Sequence, residues 1–288
     1  ENFEKILALH LFSQGNLASL TVVSTSFKEM IRRSQNFDEA FDFIKKYSFS
    51  ISDALVSAEG SNFEGYSLEF YTKLEPSYKF AEISDRELLT KVQEQTFKYF
   101  WDFGHPTSGL ARERNTSANT VTIGGSGFGV MSILVGIERG FITRQQGIDR
   151  IEKIVNFLKG ADRFHGVWPH WMNGDTGKTV PFSATDNGGD LVETAFLIQG
   201  LLTVSEYFKD GNKQEQQLVA KIDKLWKEVE WNWYTKGGKD VLYWHWSPEY
   251  GWEMNFPVGG YNECLIMYVL AAASPTYPIT KEVYEKGW

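Results

Sequence analysis

Three carboxylates, Asp186, Asp190 and Glu193, cluster in the stretch "SATDNGGDLVETAFLIQG" (Ser183–Gly200), around the pair Gly188-Gly189 and just ahead of an almost wholly apolar run. Neighbouring carboxylates repel, so one pKa rises while the other stays low. That split is what an acid–base pair needs. The plain structural alternative is a capping box, with Asp190 capping a helix and Glu193 reaching back from its third residue. It accounts for two of the acids and leaves Asp186 unexplained. Glu263, after a later glycine pair, is a further acid at an equivalent position, where it would also complement a helix dipole. Paired carboxylates in an aromatic cleft without a metal are most often used to hydrolyse glycosidic bonds.

Two aromatic-rich loops supply such a cleft. "FHGVWPHW" carries Phe164, His165, Trp168, His170 and Trp171, and "YWHWSPEYGWEMNF" carries Trp244, His245, Trp246, Trp252, Glu253 and Asn255. Rings alternate there with hydrogen-bonding side chains, a pattern that suits sugar hydroxyls better than an apolar lid. The candidate substrate-binding residues are therefore Trp168, His170, Trp171, Trp244, His245, Trp246, Trp252, Glu253 and Asn255. His165, His170 and His245 lack tight metal-ligand spacing and no HExxH occurs, so no metal is expected. "GGSGFG" at 124–129 follows no strand and has no ribose-binding acid downstream, so no nucleotide or other cofactor is expected.

These side chains must be held by helices. "SDRE" at Ser84–Glu87 is a capping box that opens a helix reaching about Phe103. Three apolar helices then alternate with amphipathic ones. The apolar helices are "GGSGFGVMSILVGIERG", "DLVETAFLIQGLLTVSEYF" and "YNECLIMYVLAAAS"; "TRQQGIDRIEKIVNFLKG" and "QQLVAKIDKLWKEVEW" are amphipathic. A helix apolar all round is buried, and one with a single apolar stripe lies outside it. Long loops cover 160–189 and about 235–259, and a glycine pair precedes each apolar helix. The simplest geometry is an all-α double ring, with inner helices, outer helices and the long loops on one face. Residues 1–84 differ: two segments there read as helical, and "NFEGYSLEFYTKLEPSYKF" reads as strand or loop.

The 288 residues are 42% hydrophobic and 15% aromatic, with ten Trp, enough for a substantial core. A net charge of −8 without a basic cluster argues against nucleic acid. The single cysteine, Cys264, excludes an intrachain disulfide. No apolar run reaches membrane-spanning length. The chain begins at Glu1 rather than Met, as expected where a leader has been removed.

The segments "VQEQTFKYFWDFGHPTSGLARER", "VTIGGSGFGVMSILVGIERGFI", "ADRFHGVWPHWMNGDTGKTVPFS", "DNGGDLVETAFLIQGLL" and "LYWHWSPEYGWEMNFPVGGYNECLIMYVLAAASP" together resemble the glucoamylase-like bacterial proteins that include the endo-β-1,2-glucanases of glycoside hydrolase family 144. The resemblance covers about residues 85–288. It implies an (α/α)6 toroid, inverting hydrolysis of β-1,2-glucan without a metal, and a periplasmic or exported setting. The acidic D-x-x-x-D-x-x-E pattern of that family falls on Asp186, Asp190 and Glu193, and a further inner-face acid falls on Glu263. Six helix pairs close such a ring, whereas about three follow residue 84, so the toroid is incomplete in this chain unless residues 1–84 add helices. The expected partner is an oligo- or polysaccharide. The alternatives are an α-glucan hydrolase on the same fold and a non-catalytic glycan-binding protein.

Overall fold

The computed structural model describes residues 46–51, 53–54, 60–62, 64–71 and 80–288. The chain divides into two compact units, Glu1–Ile83 and Ser84–Trp288. In the first, β1 (Lys46–Ile51) and β2 (Tyr66–Tyr71) form an antiparallel pair, with the backbone of Tyr47 in register with that of Phe70. The aromatic–polar alternation at 66–71 is thus a strand. Lys46 and Tyr47, read as the end of a helix, belong to β1. The rest of that helix and the one before it lie outside the described residues.

The second unit is mainly helical. Its seven helices among the described residues are α1 (Asp85–Trp101), α2 (Ile123–Glu138), α3 (Arg144–Gly160), α4 (Leu191–Phe208), α5 (Lys213–Lys227), α6 (Leu265–Ala273) and α7 (Lys281–Gly287). The apolar helices α2, α4 and α6 pack side by side, and α1, α3, α5 and α7 pack against them. The amphipathic helices bury one stripe each, Ile148, Ile151, Ile154, Val155 and Leu158 on α3 and Leu218, Ile222, Leu225 and Trp226 on α5. Full capping boxes start α1, α3 and α5, at Ser84/Glu87, Thr143/Gln146 and Asn212/Glu215.

Glycines set how closely α2 and α4 approach. A Cβ on Gly127 would lie 2.2 Å from the Phe196 carbonyl oxygen, and one on Gly200 would lie 2.2 Å from that of Gly127. The two backbones therefore touch where they cross, which only glycine permits. Phe128, Val135, Leu265 and Val269, on inner helices α2 and α6, remain 50%, 41%, 40% and 41% exposed. A groove of about 560 Å³ is lined by Leu134, Leu202, Tyr207 and Leu270, among others.

The all-α expectation needs adjustment at the loops, which fold into short ribbons. β3 (Thr120–Thr122), β4 (Trp171–Asn173) and β5 (Thr179–Val180) form a three-stranded antiparallel sheet; β6 (Gly189–Asp190) pairs with β8 (His245–Trp246), and β7 (Leu242–Tyr243) pairs with β9 (Pro257–Val258). β3 runs directly into α2 and β6 into α4, so the ribbons sit over the N-termini of the inner helices. The glycine pairs do not all precede helices as expected. Gly124-Gly125 lie inside the first turn of α2, and α6 begins later than read, at Leu265.

Candidate active site

Asp190 ends β6 and caps α4, where its Oδ1 accepts the Glu193 backbone N–H at 2.9 Å. Its Oδ2 accepts from His170 Nδ1 at 2.9 Å and from Trp244 Nε1 at 2.8 Å. The carboxylate has no exposed surface. Three donors on one buried anion repay its desolvation, which an unpaired charge could not survive. Because an ionised carboxylate only accepts, His170 must carry its proton on Nδ1.

The capping box is only half formed. The Asp190 N–H goes to the Trp168 carbonyl, and the Glu193 side chain leaves its own helix. Its Oε2 accepts from Gly124 N at 2.8 Å and from Thr122 Oγ1 at 3.3 Å. Thr122 is the N-cap residue of α2 and makes no side-chain capping bond of its own, so Glu193 caps α2 from α4. The positive end of the α2 dipole favours that charge. A Cβ on Gly124 would lie 2.6 Å from the same oxygen, so glycine there is the space the carboxylate occupies. Burial, then the charge of Asp190, raise the Glu193 pKa; His170 and the two hydrogen bonds oppose them.

Asp186 lies 6% exposed on the loop before β6, with Oδ1 3.2 Å from His245 Nε2. Burial and then the Asp190 charge push its pKa up to about 6, with His170 opposing. His245 Nε2 also accepts the Gly188 N–H at 3.1 Å, so that nitrogen carries no proton to offer Asp186. That contact is favourable only when Asp186 carries the proton. Burial lowers the His245 pKa despite the pull of Asp190, which keeps the imidazole neutral. Its Nδ1 has no hydrogen-bond partner among the described residues. On His170, burial works downward, but the Asp190 bond and the charges of Asp190, Glu193 and Asp186 leave the pKa raised.

Ligand atoms of His170, Asp186 and Asp190 lie within 4.8 Å of one another. His170 and Trp244 both bond the same oxygen of Asp190, so these atoms are turned onto each other rather than toward a common centre. The arrangement suits the sharing of protons. Glu263 is exposed in the turn before α6 and makes no hydrogen bond or ion pair among the described residues. Its neighbour Cys264 has its thiol pushed up to about 11, first by burial, then by Glu263, Asp190 and Glu193. The four expected acids therefore share one end of the inner helices, with Glu263 outside the hydrogen-bonded cluster.

The aromatic candidates separate. Trp168 is fully buried, donates to the Leu158 carbonyl and lies under the Arg163 guanidinium. It is a core residue, which corrects its reading as a sugar platform. His245, 2% exposed, touches Asp186 rather than solvent, so its expected role as a substrate contact is likewise corrected to a support for that acid. His170 and Trp171 stand at the site beside Phe182, whose ring lies 4.3 Å from His170 and 4.8 Å from Trp171. Trp244 presents its N–H to Asp190 and its ring edge-on to Phe256. Trp246 is half-buried near His165, Trp252 packs edge-on against Tyr234 and Tyr243, and Glu253 and Asn255 are exposed.

Sequence reading missed Thr122, Gly124 and Phe182. The glycine pair at 124–125 was the available signal for the first two. Phe182 sits in a polar loop and carried none.

Residues 255–288 match a family described as "Putative glucoamylase". An exo β-1,2-glucooligosaccharide sophorohydrolase of Parabacteroides distasonis is 52% identical over 210 residues, 72% of this chain and 29% of that protein. The endo-β-1,2-glucanase of Chitinophaga pinensis, solved with sophorotriose and glucose, aligns at TM-score 0.70 and 61% identity over 72% of this chain and 51% of that one. A β-1,2-glucanase of P. distasonis aligns at TM-score 0.70 and 43% identity over 86% and 34%. The chain is a relative of these β-1,2-glucan hydrolases. It spans about half or less of their lengths.

Proposed function

We propose that this chain carries the carboxylate centre of a glycoside hydrolase acting on a β-linked glucan, most specifically β-1,2-glucan. The single observation that carries the reading is Asp186, buried against His245 Nε2 at 3.2 Å and beside the Asp190 charge, a setting that holds its pKa up at about 6. A carboxylic acid so held can protonate the oxygen of a leaving sugar. The similarity to β-1,2-glucan hydrolases supports the linkage and disfavours an α-glucan substrate.

Each side chain then has a part. Asp190, saturated by its three donors, orients His170 and raises the pKa of Asp186. Inversion requires acid and base carboxyls about 6.5–9.5 Å apart, with a water between them. One carboxylate oxygen of Asp186 and one of Asp190 lie within 4.8 Å of each other, closer than an acid and base with a water between them, so we assign Asp190 as a supporting charge. Glu193 and Glu263 remain as the carboxylates able to activate it. His170, Trp171, Trp244 and Phe182 supply ring faces and donors for the sugars.

The toroid belongs to the same proposal. Residues 85–288 are read as its domain and 1–84 as a separate N-terminal segment. The exposed apolar residues on α2 and α6 support it, since inner helices of a closed ring would cover them. A periplasmic or exported setting goes with this reading.

The test is release of reducing ends from linear β-1,2-glucan, beside starch and laminarin, by the parent and Asp186→Asn. Turnover on β-1,2-glucan alone, reduced about 10²–10⁴-fold in the variant, is expected. Glucan binding that survives Asp186→Asn with no turnover by the parent would replace the enzyme with a glycan-binding protein.

A further inference from the structure

A cleft of about 570 Å³ is lined by Glu230, Asn232, Trp233, Lys236, Trp252 and Tyr277. Trp233 belongs to a 3₁₀ helix, Trp231–Thr235, that follows α5, and Tyr277 belongs to the turn between α6 and α7. Trp233 and Tyr277 are 39% and 38% exposed, so both have surface free for a ligand.

The platform is held in place. His165 stacks on Trp233 with centroids 3.6 Å apart and planes 13° apart. Its Nδ1 is 2.9 Å from Glu230 Oε2, and its carbonyl accepts the Glu230 N–H. Trp246 meets both rings edge-on, at 5.0 Å from His165 and 6.0 Å from Trp233. Lys236 reaches Asn255 Oδ1 at 2.6 Å and lies over the Tyr243 ring. His165, Lys236 and Asn255 have φ of +54°, +55° and +45°. Side-chain residues rarely adopt that conformation, and it persists where surrounding structure enforces it. Three of them gather around one cleft.

We propose that this cleft is a second glucan-binding site, which holds a stretch of the polysaccharide outside the carboxylate centre. The inference rests on the glucan reading above. Flat, partly exposed rings beside a carboxylate, an amide, an ammonium and a phenol fit the apolar faces and hydroxyls of a pyranose chain. Trp246 connects the two places, since its strand β8 pairs with β6, which carries Asp190. A chain too short to reach from one to the other gains nothing from the cleft; a polymer gains affinity through linkage.

The test compares the parent with Trp233→Ala, Tyr277→Ala and Asp186→Asn, using affinity electrophoresis in linear β-1,2-glucan and kinetics on polymer and on sophorotriose. Trp233→Ala and Tyr277→Ala are expected to weaken retention by the polymer at least tenfold and to raise KM on the polymer while kcat holds. KM on sophorotriose stays where it was, and Asp186→Asn keeps the parent's retention. Polymer retention equal to the parent's in both aromatic variants overturns the second site while leaving the hydrolase reading intact. Weakened retention without turnover by the parent supports the site and removes the hydrolase. A parent that binds no glucan overturns both. Tyr277 lies in an exposed turn, so its replacement keeps the test open should Trp233→Ala fail to fold.

Discussion

Asp186 owes its raised pKa to place rather than residue type. The same side chain in water would ionise near pH 4, whereas burial and the charge of Asp190 push it up to about 6. If the protonated form donates to the leaving sugar, kcat/KM should fall about tenfold per pH unit above about pH 6, a limb that Asp186→Asn removes together with most of the rate. The same shift has a stability consequence of fixed sign. The folded pKa lies above the unfolded one, so the native state favours the protonated acid. Stability contributed by that acid is present below about pH 4 and is lost as pH rises toward and past 6. Asp186→Asn is therefore expected to unfold at higher denaturant than the parent at pH 7.5, by about 2 kcal/mol, and at about the same concentration at pH 4. A variant no more stable than the parent at pH 7.5 would show that Asp186 ionises freely in the fold.

At the scale of elements, the site is a joint between α2 and α4. Glu193 leaves its own helix to cap the next, and Gly124 leaves room for it. Glu193→Ala strands the Gly124 N–H and should cost about 1–3 kcal/mol in chemical denaturation. Gly200→Ala would thrust a methyl into the Gly127 carbonyl and should cost about 3 kcal/mol, with the folded yield falling before any change in KM. The sequence made much of this element layer readable. Apolar and amphipathic periodicity placed five helices within a few residues of their ends, and "SDRE" marked the start of α1. What it hid has physical reasons. Ribbons of two or three residues are too short to show alternation, so 160–189 and 235–259 read as loops. Seven-residue α7 falls below the length at which periodicity is visible. The Asp190–Glu193 spacing was readable as a capping box because i and i+3 meet within one helix, but the partner of Glu193 is distant in sequence. Trp168 and His245 were misjudged because residue type does not reveal burial: both occupy loops rich in exposed rings, yet both pack beneath them.

Over the whole of the Ser84–Trp288 unit, the core and the site ask for different things. The buried residues form one continuous cluster from Phe97 to Val283, so this unit has what a cooperative fold requires. Its inner helices nonetheless show solvent apolar side chains at Phe128, Val135, Leu265 and Val269. An outer helix would carry charge at such positions. Exposed apolar side chains on such helices are what the proposed ring would cover. Two outcomes follow for the chain of 288 residues. Exchanging Phe128 and Val269 together for Ser should change Tm by no more than about 2–3 °C, since partly exposed apolar side chains contribute little to the core. The same exchange should clearly reduce binding of the dye anilinonaphthalene sulfonate to the native protein. A large loss of Tm would mean that these residues are already covered, and the case for a ring continuing beyond α2 and α6 would lose its main support.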